Sequence, residues 1–329
     1  MPGEDASRRL TAWSQMTGRV RQNAALRLAR RGIGPGAGFE SRLVWIFGSP
    51  RSGSTWLLQM LGALPGVVPV NEPLIGAYLG SIVADSRDVR IDDLDLNNFT
   101  FERQRRRIPS QFFSEQSRDT WSPLLGKLIK TRLLAEVAAA PWAGASTTVV
   151  VKEPNGSQAA DLILGALPRS RVLFLLRDGR DVVDSELAAT TGGGWLSEEF
   201  TGIDELKPDD RLSFVVRSAS KWLWRTQVVE EATRHHPAPT LTVRYEDLRA
   251  DTLNTLGGVC EWLGLSTANP GLHQIVDRFG FEAIPPEARG PAKFFRAARP
   301  GAWRQNLTDD EQAAVDGVIG AKLRELGYE

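Results

Sequence analysis

At 329 residues, 42% of them apolar and 24% charged, the chain has material for one large α/β core. Forty basic side chains offset forty acidic ones, which removes the global field that draws a protein to nucleic acid, so any anion site must be local. The single cysteine, Cys260, excludes an intramolecular disulfide framework. Three histidines without cysteine partners leave little for a zinc site, and without a signal-peptide core or a window near the roughly 20 apolar residues of a membrane span, a cytoplasmic protein is expected.

In chain order, Glu4–Arg31 reads as a basic helix, with Leu10, Trp13, Val20, Leu26 and Leu28 set among many arginines. Packing on its own domain is the commoner fate of such a helix; peripheral contact with an anionic membrane is the alternative. Gly32–Gly38, "GIGPGAG", supplies a hinge, which divides the chain into an arm over residues 1–38 and a folded domain over 39–329. Beyond it, apolar runs of strand length alternate with helical periodicity, the pattern of a parallel sheet covered on both faces. Strands are predicted over Leu43–Gly48, Thr148–Val151, Arg171–Leu176 and Thr240–Tyr245. Helices are predicted over Ser54–Leu64, Asp119–Ala140, Arg180–Ala189, Asp209–His235, Leu253–Leu263 and Asp309–Leu326, giving a three-layer α/β sandwich. "LPGVVPVNEPLIG" after the first helix reads as a turn. The long polar segment Asp85–Phe113 and "TTGGGWLSEEF", Thr190–Phe200, read as lids or binding loops.

Two strand-turn-helix units carry the chemistry. In "VWIFGSPRSGSTWLLQML", Val44–Leu61, Gly48 and Gly53 fit the nucleotide-binding template G-x-x-x-x-G-K-[ST], and Thr55 supplies its hydroxyl. Ser54 stands where the template has lysine, and Arg51 lies inside the loop instead. The backbone amides and helix N-terminus of such a loop still suit an anion, but a magnesium-bound triphosphate loses its bridging lysine, so a different phosphate ester is indicated. A tight glycine turn alone accounts for the glycines and not for the clustered Arg, Ser and Thr. In "RVLFLLRDGRDVVDSELA", Arg177 ends a buried-looking strand and Ser185 follows two helical turns on, at the sheet edge where open α/β folds bind ligands. Taken by itself this unit reads as a solvated charged turn. The pair suggests a ligand with two separated phosphates.

"PRSGSTWL" (Pro50–Leu57) together with "LRDGRDVVDS" (Leu176–Ser185) resembles the paired phosphate-binding signatures of the sulfotransferases that use 3′-phosphoadenosine 5′-phosphosulfate, PAPS. The resemblance implies a P-loop-like fold, PAPS as co-substrate, 3′-phosphoadenosine 5′-phosphate (PAP) as product, and no metal. It assigns Arg51, Ser52, Gly53, Ser54, Thr55 and Trp56 to the 5′-phosphosulfate, and Arg177 and Ser185 to the 3′-phosphate. "FFRAARPGAW" matches a C-terminal segment of the family at Arg296, Gly301 and Trp303; Ala297 and Ala298 depart from its Lys-Gly pair, which weakens the 3′-phosphate contact expected of Arg296. "VRYEDLRAD", Val243–Asp251, resembles the strand and acidic turn before the family's last helices.

The histidine base of the phenol and steroid enzymes has no counterpart, because His235, His236 and His273 lie late and outside any matching motif. Glu72 falls where the tyrosylprotein and carbohydrate branches place a carboxylate base, and a partly desolvated carboxylate suits that task. In "VVVKEPNGS", Lys152 offers positive charge near the transferring group and Glu153 is a rival base ranked behind Glu72; a local ion pair at a strand end is the plain alternative. The expected activity is transfer of a sulfuryl group to the hydroxyl of a small-molecule or lipid-like acceptor, with Trp195, Phe200, Trp222, Trp224 and Phe112 as candidate cleft residues, although tryptophans at helical spacing more often belong to a core. A kinase using magnesium-ATP and a non-catalytic nucleotide-binding protein are the competing readings.

Overall fold

The computed structural model describes residues 23–24, 26–28, 30–32, 36, 38–79, 109–140, 142–190, 206–268, 271–290, 293 and 299–329. Most of the N-terminal basic stretch, of the polar segment 85–113 and of the flap 190–200 lies outside these residues, as do Arg296, Trp195 and Phe200.

Five strands, β1 (Leu43–Phe47), β2 (Val67–Asn71), β3 (Thr148–Lys152), β4 (Arg171–Leu176) and β5 (Thr240–Arg244), form one sheet in the order β2-β3-β1-β4-β5, with every pair parallel. The helices in chain order are α1 (Ser54–Gly62), α2 (Ile75–Leu79), α3 (Arg118–Val137), α4 (Ala160–Ala166), α5 (Gly179–Thr190) and α6 (Arg211–Arg234). They are followed by α7 (Tyr245–Ala250), α8 (Thr252–Leu263), α9 (Leu272–Phe279), α10 (Trp303–Asn306) and α11 (Asp309–Glu325). Local chemistry sets several ends. The Asp251 carboxylate accepts the Asn254 amide at the start of α8, Gly264 closes that helix at φ 69°, and Thr308 and Glu311 form a reciprocal capping box on α11.

Alternation along the central strands divides the core in two. Leu43, Trp45 and Phe47 of β1 join Val149, Val151, Val172, Phe174 and Leu176 on one face, under α3, α4, α5, α6 and α11. Val44 and Ile46 join Val150, Leu173 and Leu175 on the other, under α1, α7, α8 and α9. Leu26 packs half-buried on the first face. Connection handedness accounts for the split. Only the β1-to-β2 connection runs toward the β2 edge, whereas the other three run toward β5, so right-handed crossovers place α1 on the opposite face from α3 to α6. The neighbours β1 and β4 therefore send their chains to opposite faces, and a crevice opens at their carboxyl ends.

The sequence pattern misses β2. Val67–Asn71 carries Pro69, which interrupts a strand signal; β2 lies at the edge of the sheet, where a residue without an amide proton is tolerated. The short helices α2, α4, α7, α9 and α10 also escape it, having too few turns for a periodic signal. Among the described residues no helix is long and apolar enough to cross a membrane.

Candidate functional site

Beyond β1 the chain turns at Gly48, whose φ is 149° and whose missing Cβ would lie 2.3 Å from the Leu175 carbonyl oxygen. Ser157 clamps this peptide from the other side: its Oγ accepts the Gly48 amide at 2.9 Å and donates to the Gly48 carbonyl at 2.7 Å. Gly48→Ala is accordingly expected to destabilise the protein by about 1–3 kcal/mol, as a side chain forced against backbone does. A urea titration of the two proteins reads this directly, and an unchanged midpoint counts against the close approach.

Arg51 adopts the left-handed region, φ 68°, and Gly53 does the same at φ 84°, its face packed so closely on the Tyr245 ring that a Cβ would sit 2.6 Å from Cδ2. Helix α1 starts directly afterward with no acidic residue in its first turn. The Ser49 and Ser52 hydroxyls are buried here without a hydrogen-bond partner among the described residues. Free amides at a helix N-terminus beside buried, unpaired hydroxyls make a cradle for an anion.

The second loop meets the first. Arg177 at the end of β4 donates from Nη1 to the Arg51 carbonyl at 2.6 Å, and its guanidinium lies over the Tyr245 ring, 4.3 Å from the centroid. Arg177 Nε is buried without a partner among the described residues. Ser185 on α5 accepts from Arg51 Nε at 3.0 Å. Arg51, Arg177 and Ser185, far apart in sequence, thus converge at the β1–β4 crevice. Tyr245 floors both loops and also meets the Trp56 ring edge-on at 6.5 Å. Trp56 is itself anchored by donating from Nε1 to the Phe279 carbonyl at 2.7 Å.

Helix α5 ties this region to the C-terminal segment. Asp181 accepts the Gly301 amide at 2.8 Å, and Asp184 accepts from Asn306 at 3.1 Å. Burial raises the Asp181 pKa, with the Arg177 charge and the Gly301 amide opposing it. Trp303 is buried, with Arg180 and Arg304 stacked over its ring at 4.3 and 4.5 Å.

A second cluster sits at the carboxyl ends of β2 and β3. Lys152 ion-pairs with Glu72 Oε1 and donates to Asn71 Oδ1 at 3.3 Å, while Asn155 donates to Glu72 Oε2 at 3.3 Å. The Glu72 side chain is 32% exposed and Lys152 only 6%. Glu153 points away from solvent altogether, at 0% exposure, and accepts the Ile75 amide at 3.3 Å. Glu72 is thus open to solvent at this edge, and Glu153 is enclosed.

The aromatic residues proposed for the cleft divide. Trp222 belongs to the core, 1% exposed, with Nε1 donating to the Arg177 carbonyl at 3.1 Å; it supports the second loop instead of lining a cleft. Trp224 packs half-buried on the same core, and Phe112 is 80% exposed. Sequence reasoning missed Tyr245, Ser157, Asp181 and Asn71. "VRYEDL" draws attention to the right segment, but only the fold brings the Tyr245 ring under Gly53 and Arg177. Among the described residues no group of three or more His, Cys, Asp or Glu side chains is arranged to hold a metal ion.

A profile of the sulfotransferase family matches residues 44–269 of the chain. No curated protein matches it in sequence. Among solved structures, sulfotransferase STF9 from Mycobacterium avium aligns with a TM-score of 0.50 at 14% identity, over 88% of this chain and 77% of the other. A mouse sulfotransferase complexed with PAP aligns at 0.49 and 12% identity, over 86% and 83%. The sulfotransferase domain of a Synechococcus olefin synthase aligns at 0.45 and 18% identity, over 84% and 93%. The first of these likenesses bears on the fold: a central parallel sheet with helices on both faces.

Proposed function

The chain belongs to the sulfotransferase family, and from that premise we propose that it transfers a sulfuryl group from PAPS to the hydroxyl of an organic acceptor. The observation that carries the proposal is the convergence of Arg51, Arg177 and Ser185 from two strand-end loops beside the N-terminus of α1. Three buried polar atoms there, Ser49 Oγ, Ser52 Oγ and Arg177 Nε, have no partner among the described residues, and buried polar groups call for one. An anionic nucleotide fits that demand. The α1 amides with Ser52, Gly53, Ser54 and Thr55 hold the 5′-phosphate, Trp56 flanks the nucleotide, and Arg177 with Ser185 reads the 3′-phosphate; Arg296 is assigned to the same phosphate by resemblance. PAPS, when bound, supplies an activated sulfuryl group whose departure leaves PAP.

Glu72 acts as the base that takes the proton of the acceptor hydroxyl. Its exposure beside the crevice suits that task, and Lys152 with Asn155 fixes both carboxylate oxygens. Arg51 and Lys152 place fixed positive charge where negative charge develops on the leaving side. A groove of about 510 Å³ runs beside this cluster, from Thr55 and Asn71 past Leu58 and Pro69 to Phe279. Its walls mix apolar Leu58, Ala63, Pro69 and Phe279 with polar Gln59 and Arg278, which suits an acceptor with both apolar and polar parts.

The kinase reading has less to rest on. Ser54 replaces the phosphate-bridging lysine, and the acid at the end of β3, Glu153, is turned inward to the Ile75 amide, away from any bound metal. Calorimetric titration with PAP, and in parallel with ADP and with ATP plus magnesium, separates the readings. Tight, metal-independent binding of PAP alone is expected; preference for magnesium-ATP overturns the proposal.

A further inference from the structure

We infer that Glu153 is a positioning residue for Glu72: its enclosed carboxylate holds the backbone turn that carries Glu72 to the edge of the site. The inference rests on the reading of Glu72 as the base. The turn it concerns is strained. Glu72 has φ 42° and Leu74 φ 57°, left-handed conformations that residues with a Cβ keep only when their surroundings impose them.

Contacts from β3 and the segment after it impose them here. The Glu72 amide donates to the Lys152 carbonyl at 2.9 Å. The Ile75 amide, first in α2, donates to Glu153 Oε2. Gly76 and Gly156 bring α2 and the 154–159 turn into backbone contact, since a Cβ on Gly76 would lie 1.9 Å from the Gly156 Cα. Glu153 is itself fixed from behind. Its amide donates to the Ile46 carbonyl at 3.0 Å, its carbonyl accepts the Gly156 amide at 2.8 Å, and a Cβ on Gly156 would meet its Cγ at 2.4 Å. The carboxylate therefore has one direction to point, into the turn. It joins the last residue of β3, Lys152, to the backbone that follows Glu72.

Keeping this group costs stability. Glu153 Oε1 is buried with no partner among the described residues. Burial pushes the carboxyl from its ordinary 4.5 up to about 7; the Ile75 amide opposes that rise, Glu72 adds to it, and the Leu74 amide and Lys152 oppose it. Glu72 and Lys152 are the charged groups whose fields reach it. The unfolded chain releases this proton near 4.5, whereas the folded one holds it to about 7, so stability falls as pH rises through that window and the loss is complete above it. A costly carboxylate at the edge of a site marks a functional demand.

The test uses Glu153→Leu, which deletes the acceptor, and Glu153→Gln, which keeps a carbonyl for Ile75 and cannot ionise. With a PAPS-dependent assay in hand, Glu153→Leu is expected to lower kcat by roughly 10²-fold, the scale of a misplaced catalytic group, with PAP affinity unchanged. Glu153→Gln is expected to keep most of kcat and to melt above the wild type at pH 8, a gain that closes toward pH 4.5 as the penalty disappears. On a Glu72→Gln background Glu153→Leu should have no further effect on kcat, because the two residues act through one another. Full activity in Glu153→Leu overturns the inference, and so does a Glu153→Gln variant as slow as Glu153→Leu. Normal turnover in Glu72→Gln alone is a separate result that overturns the base assignment first.

Discussion

Glu72→Gln is expected to lower kcat by about 10²–10⁴-fold, the usual range for loss of a general base, and to leave the affinity for PAP nearly intact. The asymmetry follows from where the residue sits. Glu72 directly follows the edge strand β2, across β3 from the loop that starts at Gly48, and takes no part in the hydrogen bonds that join Arg51, Arg177 and Ser185. Its partners are Lys152 and Asn155, at the end of β3 and in the turn after it. Glutamine retains an oxygen for one of these partners, so the substitution removes basicity more than structure. Lys152, only 6% exposed, loses its ion-pair partner in the variant while remaining a buried cation. A melting scan therefore accompanies the assay: a folded, PAP-binding, inactive protein supports the assignment, and a folded protein with wild-type turnover ends it.

Much of this arrangement is legible in the amino-acid sequence. β1, β4 and α5 announce themselves because parallel strands buried on both faces read as unbroken apolar runs, and because glycines and small residues mark the loop between β1 and α1. Glu72 is ranked over Glu153 by resemblance and by the chemistry expected of a base; the two carboxylates differ in exposure, and no linear pattern encodes exposure. β2 was hidden by Pro69, an edge-strand residue that reads locally as a breaker. Tyr245 was hidden for another reason. Its neighbours Gly53 and Arg177 are distant in the chain, and the contact exists only because β4 and β5 are adjacent and α7 begins where the loops meet. Trp222 shows how little composition alone says: of the aromatic side chains that could line a cleft, it is in the core, as helical spacing favours, and supports Arg177 from below. The candidate ligand residues fall in recognisable loops, whereas the residues that hold those loops together are spread over the fold.

Arg177→Ala is the sharper test of nucleotide recognition. Removing a buried, hydrogen-bonded charge from a phosphate site costs about 2–5 kcal/mol, so PAP affinity should fall by roughly 30-fold to several thousand-fold. That loss alone is ambiguous, since Arg177 also donates to the Arg51 carbonyl and stacks on Tyr245, and its deletion loosens the first loop. The ratio resolves it. Adenosine 5′-phosphate lacks the 3′-phosphate but uses the first loop equally, so damage to that loop lowers both affinities together, whereas loss of 3′-phosphate recognition lowers only that of PAP. Ser185→Ala should move the same ratio by less, about 1.5–3 kcal/mol for one hydrogen bond to a charged group. Arg177→Lys keeps the charge and loses the planar fork that bonds one group while stacking on another, so it should fall between wild type and alanine. If PAP and adenosine 5′-phosphate weaken equally in Arg177→Ala, the residue braces the Arg51 loop and the 3′-phosphate is read elsewhere.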